Sequence, residues 1–541
     1  MIEKPQVQSH CLSFQQVPHS TPLFLDYLYH FDKVRRFFPR PPFNRADWLK
    51  EEAARVHYDS GRRERVAAIL ERQNRAWGAS QETLDNIARL RSGASAVVTG
   101  QQVALFGGPL FSIYKALTAI RLATEFTHAG QESVPIFWLA TEDHDFAEVN
   151  HVNLQGADGS LSSFAIEATA ADDSPMSAVR LGPEIETRGE EAARLLGDSA
   201  VTAFLRESYG AGETLGNAFA KLFSRLFAHS GVILIDASDP ELHTIAESVY
   251  RAAIVAAEDL DQALLERNRE LESAGYHAQV KVSPSSTLLF AVRDGRRVPV
   301  HRTNGQFKLG NEKLSPDELL KRISERPQEF SANVLLRPVV EDYLLPTLSY
   351  IGGPAEVAYF AQVGVVYEEL LGRVTPILPR LSATLLEPRV QRIFDRYKLS
   401  LTEAFQDPEH LRLMIAERAL PGDINATFDS ALQLLDESLK GLQQSLERLD
   451  PTLVEASERA GSKMRYQLDR LRERAGRAEL RRNEETAAHA ALLSNSLYPG
   501  KELQEREIGA MSFLGRYGTQ LLLMLYDSAK TACPDHQVVY F

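Results

Sequence analysis

Short, fully apolar runs separated by stretches of helical period begin near residue 95. Ser95–Gly100 (SAVVTG) reads as a buried strand ending in a turn, and Val134–Ala140 (VPIFWLA) as a second, rich in β-branched and aromatic residues. Between them Ile113, Leu117, Ile120 and Thr124 fall at helical spacing. Strand, helix, strand in this order predicts a βαβ unit with a parallel sheet. The theme returns at 212–229 (helix) and 231–236 (GVILID, strand), and 239–272 reads as one long amphipathic helix. Asp294-Gly295 and Asn304-Gly305 predict hairpin turns within 277–310. In VTPILPRLSATL (374–385) the prolines suit the edge of the core sheet.

A different pattern starts near residue 390. Phe428, Leu432, Leu435, Leu439, Leu442, Leu446 and Leu449 alternate spacings of four and three, and Met464, Leu468, Leu471, Ala475 and Ala478 follow after Asp450-Pro451. Such a heptad stripe buries a narrow seam against another helix, in the same chain or a second one. The expected fold class is therefore α/β: a parallel-sheet core with insertions, plus an α-helical coiled-coil domain. The expected boundaries are 1–390 for the core, with insertions at about 155–210 and 277–345, then 391–495 for the arm. Residues 496–541 are expected to pack back on either, with a helix near 512–528 and HQVVYF as a last strand. Residues 1–94 read as helical and polar, broken at Pro39, Pro41 and Pro42.

A length of 541 residues allows two or three such domains. The net charge of −13 argues against a surface built to neutralise nucleic-acid phosphates. Two cysteines, Cys11 and Cys533, make neither a thiolate zinc site nor a disulfide framework. The opening MIEKPQVQSH lacks an apolar core, and no apolar run is long enough to span a bilayer, so a soluble cytoplasmic protein is expected.

Three segments carry candidate chemistry. The first is Thr99-Gly100-Gln101-Gln102 with Gly107-Gly108-Pro109, set between the first strand and its helix, with Lys115 two turns in. Its glycines would let backbone approach a ligand, and free amides at the helix start would favour a phosphate or carboxylate. The second is Glu142, Asp143, His144 and Asp145, then Asn150 and His151, just beyond the second strand, where ligands bind in open parallel sheets. These acids could grip an ammonium while His144 or Asp145 moves a proton, could hold a hard metal such as Mg²⁺, or could simply cap the next helix. The third is Tyr350-Ile351-Gly352-Gly353-Pro354-Ala355-Glu356 and then Tyr359, a second glycine-rich helix start, followed by Arg380 as the best fork for a carboxylate or phosphate. Gly-x-Ser-x-Gly and His-Glu-x-x-His are absent from the sequence, so serine-hydrolase and zinc-protease chemistry lack their usual residues.

TGQQVALFGGPLFSIYK (99–115), FWLATEDHDFAEVNHV (137–152), IGGPAEVAYF (351–360) and LYPGKELQER (497–506) together resemble the cysteine-adding enzymes of bacillithiol biosynthesis, the cysteine ligase family, over nearly the whole chain. The resemblance implies a Rossmann-like parallel-sheet core with two connecting-peptide insertions, a coiled coil making a homodimer, and condensation of cysteine with the amine of glucosaminyl-malate. It implies a cleft at the segments above, ATP or ADP as cofactor, and a nucleotide site near Tyr498-Pro499-Gly500. With that reading, Glu142 and Asp143 hold an ammonium, His144 or Asp145 is the base, and the 107–109 amides with Arg380 stabilise negative charge. A dedicated metal site and a nucleic-acid or membrane partner are not expected. The competing readings are a nucleotidyl transferase acting on another acid, and a nucleotide-binding coiled-coil scaffold.

Overall fold

The computed structural model describes residues 8–167 and 170–541. The first seven residues, on which much of the no-leader reading rests, lie outside the described residues. The chain divides into two compact units. The first takes the residues up to Ala157, Leu161–Thr384 and Glu505–Val539; the second takes Asp158–Ser160, Leu385–Gln504 and Tyr540–Phe541.

At the centre of the first unit is a five-stranded sheet, parallel at every pairing. Across it the strands run Ile233–Asp236, Ser133–Leu139, Ser95–Gln101, Thr347–Gly352 and Ile377–Pro379. In chain order this is 3-2-1-4-5, the Rossmann arrangement, whose order reverses between the first strand and the fourth. Both of the apolar runs at 95–101 and 133–139 are buried nearly end to end, as strands covered on both faces require. The Leu110–His128 helix lies against these two strands. Its Ala119, Leu122, Ala123 and Phe126 join Val97, Leu348, Ile351, Leu378, Trp48 and Leu49 in one apolar cluster.

The 374–385 segment does two jobs. Ile377–Pro379 forms the edge of the parallel sheet, and Ala383–Leu386 belongs to a separate three-stranded sheet with His536–Tyr540 and Gln8–Leu12. The Asp294-Gly295 and Asn304-Gly305 pairs turn an antiparallel meander: Arg293 faces Arg296 and Thr303 faces Gln306 across them, with positive φ at all four turn residues. Phe330–Ala332 pairs with the meander's Ser286–Arg293 strand. The expected single helix at 239–272 is two, Pro240–Val255 and Ala257–Ser273. Ala256 leaves helical geometry between them (ψ 10°), a break that neither a proline nor a glycine announces. The expected helix near 512–528 is likewise two, Met511–Tyr517 and Gln520–Ser528, parted at Gly518 with φ 66°.

In the second unit Gly422–Leu449 and Thr452–Arg482 form an antiparallel helical hairpin. Arg465 meets Asp436 at 2.6 Å and Arg472 meets Asp429 at 3.0 Å, so the two helices pair within the chain. Gly461 lets the Leu439 side chain pack against its backbone. Among the described residues no helix is long and apolar enough to cross a membrane.

Candidate functional site

A cleft of about 650 Å³ opens beyond the carboxyl ends of the central strands, at the point where strand order reverses. One side is built on the ends of Ser95–Gln101 and Thr347–Gly352. Lys115 reaches up from its helix and donates to Gly100 O at 2.6 Å and Gln101 Oε1 at 2.8 Å, and pairs with Glu356 Oε2 at 2.7 Å. Glu356 also accepts from the Tyr350 hydroxyl at 2.6 Å and from the Gly353 amide at 2.8 Å. Burial works to raise its carboxyl, but Lys115, Tyr350 and Gly353 together carry it below the usual range. Burial lowers Lys115.

Two guanidinium groups frame this side. Arg337 donates to Glu341 at 2.6 Å and to the hydroxyls of Tyr350 and Tyr359 at 3.2 Å each. Arg380 donates to Leu381 O and to Glu505 Oε1, both at 2.7 Å, and stands over the Phe111 ring. Glu505 in turn accepts from Ser382 Oγ at 3.0 Å and the Ala383 amide at 2.9 Å. Behind it, His536 places its ring nitrogens 2.8 Å from Ser382 Oγ and Thr384 Oγ1, and burial holds that imidazole down at about 4. Arg380 is thus set in a rigid buried frame.

The opposite side hangs on the end of Ser133–Leu139. Glu142 turns inward, its Oε1 3.3 Å from His243 Nε2. At that distance the two would be an ion pair if both were charged, yet burial drives each toward its neutral form. The His243 imidazole is pushed down to about 4, and the Glu142 carboxyl up to about 8, opposed by Arg297 and helped by Asp236. The desolvation argument is the stronger one, and Glu142 Oε1 makes no hydrogen bond. Asp143 accepts from Gln102 Nε2 at 2.7 Å and from the His144 amide at 2.7 Å. Arg297, stacked 4.1 Å over the Phe290 ring, places Nη1 3.3 Å from His144 Nδ1. A guanidinium only donates, so this contact makes Nδ1 the acceptor and leaves the imidazole proton on Nε2.

Of the residues singled out in the sequence, the cleft brings together Gln101, Gln102, Lys115, Glu142, Asp143, His144, Gly353, Glu356, Tyr359 and Arg380. It does not bring in Thr99, whose hydroxyl donates to Ile351 O inside the sheet, or Gly352 within its strand. Asp145 is exposed and caps the short Phe146–Val149 helix through the Glu148 amide, while Asn150 and exposed His151 bond each other. The Gly107-Gly108-Pro109 loop is also absent from the lining. Its amides are already spent: Gly107 donates to the Tyr209 hydroxyl, Gly108 to Leu105 O and Leu110 to Ile508 O, and proline has none. With no free donor, this loop does not fit an ATP phosphate or any other anion. The three acids of the 142–145 segment point three ways, toward His243, Gln102 and the Glu148 amide.

Sequence reasoning missed Arg297, Arg337, Trp138 and Asn333 in the lining, whereas Tyr350, the first residue of the third segment, does line the cleft. Trp138 stands one residue before the end of its strand, so the strand-end position itself was a usable signal. Arg297 sits beside a predicted hairpin turn and carried none.

The family description "Bacillithiol biosynthesis BshC, N-terminal Rossmann-like domain" matches residues 7–381, and "Bacillithiol biosynthesis BshC, C-terminal coiled-coil domain" matches residues 383–541. A protein of Koribacter versatilis (strain Ellin345) described as "Putative cysteine ligase BshC" is 50% identical over 529 residues, spanning 98% of this chain and 99% of that one. Proteins with the same description from Solibacter usitatus and Salinibacter ruber are 36% and 34% identical; the first covers 98% of this chain and 99% of its own length, the second 96% of each. With both domain types matched in order and relatives similar from end to end, the chain belongs to the bacillithiol biosynthesis BshC family.

Proposed function

We propose that this chain is a cysteine ligase of bacillithiol biosynthesis, joining the carboxyl carbon of cysteine to the amine of glucosaminyl-malate as an amide. The observation that carries the reading is a cleft at the sheet's switch point lined both by guanidinium groups and by a carboxyl, Glu142, with an unbonded oxygen. Arg337 and Arg380 suit a carboxylate-bearing substrate. Asp143 suits an ammonium.

Amide formation requires an amine that has lost its proton. Glu142 is placed for that step: it lines the cleft, has an unbonded oxygen, and titrates near neutrality. The amine nitrogen would attack the activated acyl carbon, the C–O bond to the leaving group would break, and the nitrogen's proton would pass to Glu142. His144, with its proton on Nε2, is a donor for the developing oxyanion or leaving oxygen. This assignment replaces Asp145, which faces solvent.

A free carboxylate does not condense with an amine usefully in water, so an activated acyl donor is needed, and ATP is the activating cofactor that the family resemblance implies. The Gly107–Pro109 loop offers it no cradle. The homodimer implied by the resemblance is part of the same proposal and would use the coiled-coil stripe.

The test is incubation of the purified protein with cysteine, glucosaminyl-malate and ATP, followed by mass detection of the thiol product. Product above that of a Glu142→Gln, Arg380→Ala control supports the reading. No product with all three present defeats it, and product without nucleotide or activated cysteine removes ATP from the scheme.

A further inference from the structure

Cys11 and Cys533 are the two cysteines of the chain and stand 522 positions apart. Cys11 lies in the Gln8–Leu12 strand, and Cys533 three residues before the His536–Tyr540 strand. Those strands are neighbours in the three-stranded sheet, and their pairing brings the thiols together. The Sγ atoms are 2.7 Å apart, with the Cys533 thiol donating toward Cys11. Both residues are part-exposed, so a small reagent can reach them.

Asp535 brings a carboxylate within 4.8 Å of both sulfurs, which raises the question of a metal. That carboxylate already accepts from the Tyr29 hydroxyl at 2.6 Å, and two thiolates sharing a zinc ion stand further apart, at corners of a tetrahedron. The geometry fits sulfur–sulfur bonding better.

We propose that Cys11 and Cys533 form a reversible intramolecular disulfide by exchange with low-molecular-weight disulfides, stapling the sheet that backs Arg380. The Cys533 thiol is pushed up to about 12, by burial first and then by the Cys11 thiol beside it, so the opening attack falls to Cys11. The Cys11 thiolate attacks one sulfur of the small disulfide, whose S–S bond breaks and expels one thiolate. Cys533, giving up its proton, then attacks Cys11 Sγ and expels the second. Two electrons pass from the protein sulfurs to the small disulfide, and the two protons released go to the two thiolates expelled.

The staple has a clear structural target. Gln537 donates its amide to Ser382 O at 2.8 Å, and His536 bonds the Ser382 and Thr384 hydroxyls. Cys533 and Asp535 line a crevice of about 20 Å³ whose other wall is Arg380–Ser382. Closing the disulfide ties the segment that carries Arg380 to both ends of the chain. This inference is independent of which reaction the cleft performs.

The experiment uses the reduced, desalted full-length protein, incubated with glutathione disulfide. Intact mass and maleimide–polymer labelling on a non-reducing gel are then read together. The expected result is loss of both labels at once, a mass lower by two hydrogens with no glutathione retained, and reversal by dithiothreitol. Amides of 8–12 and 536–540 should exchange with solvent more slowly in the oxidised protein, and this slowing should vanish in Cys11→Ser. A stable glutathione adduct on one cysteine with the other still free would overturn the proposal. So would a disulfide between two chains, or retention of both labels while the urea-unfolded chain oxidises.

Discussion

Two carboxyl side chains near arginines carry sharply different charge logic, Glu142 half-buried in the cleft and Glu505 fully buried. Glu142 has no hydrogen bond to its Oε1 and titrates near 8 because desolvation outweighs Arg297. If it is the base, kcat/KM for the amine substrate should rise with pH through about 8. Glu142→Gln should lower kcat/KM by about 10²–10⁴-fold and flatten that rise. A pH–rate profile that keeps its shape in Glu142→Gln assigns the proton transfer elsewhere. Glu505 is the reverse case: burial works to raise it, but Arg380, the Ser382 hydroxyl and the Ala383 amide carry it below the usual range. A carboxyl depressed on folding adds stability that is present above its unfolded value, ~4.3, and is lost as pH falls through the folded value. Glu505→Ala leaves Arg380 buried without its partner and should cost about 3–5 kcal/mol at neutral pH. Urea midpoints should show that difference shrinking as pH drops below ~4. A constant gap across the acid range would mean that the pair is not the source.

Among the elements, what could be read in advance followed from local chemistry. Parallel strands buried on both faces must be apolar throughout, so 95–101 and 133–139 stood out, and Asp-Gly and Asn-Gly fixed the meander turns because those residues accept positive φ. Gln101, Gln102 and the 142–144 segment were found because strand ends in an open sheet are where ligands bind. The Gly107–Pro109 loop misled for a physical reason: its amides are satisfied by Tyr209, 102 positions away, and by Leu105, and the next amide, of Leu110, is satisfied by Ile508. Arg297 was invisible because the meander brings it to His144 from 153 positions away. The break at Ala256 has no residue signature at all. The loop's role can be checked directly. Gly108 has φ 69°, and a Cβ there would meet Ala104 Cβ at 2.9 Å. Gly108→Ala should therefore destabilise the protein by about 1–3 kcal/mol. The melting temperature should fall while KM for each substrate stays at the native value. A selective rise in KM for ATP, without loss of stability, would restore the loop as a phosphate site.

At the scale of the whole molecule, the helical arm has more apolar surface than its own hairpin covers. Leu439 is buried against Gly461 and Leu446 is half-buried, but Leu442 is 51% and Leu449 77% exposed. Met464 and Leu471 on the returning helix are 50% and 53% exposed. Isolated exposed leucines are ordinary on a protein surface, but Leu442 and Leu449 repeat at heptad spacing on one helix, and Met464 and Leu471 do so on the other. The hairpin pairing and the bare seam are therefore separate features: the first closes within the chain, and the second suits another helix pair of the same kind. A twofold arrangement would let each chain supply the identical patch, so a single substitution would remove two seams' worth of contact at once. Leu442→Glu with Leu449→Glu places four like charges in that interface per dimer. Each leucine is solvent-exposed in the single chain, so the doubly substituted protein should fold with an unchanged melting temperature at high dilution. Light scattering should then report a dimer for the native chain and a monomer for the variant. A native chain that is monomeric at the same concentration would remove the homodimer from the proposed function and leave the seam as exposed surface.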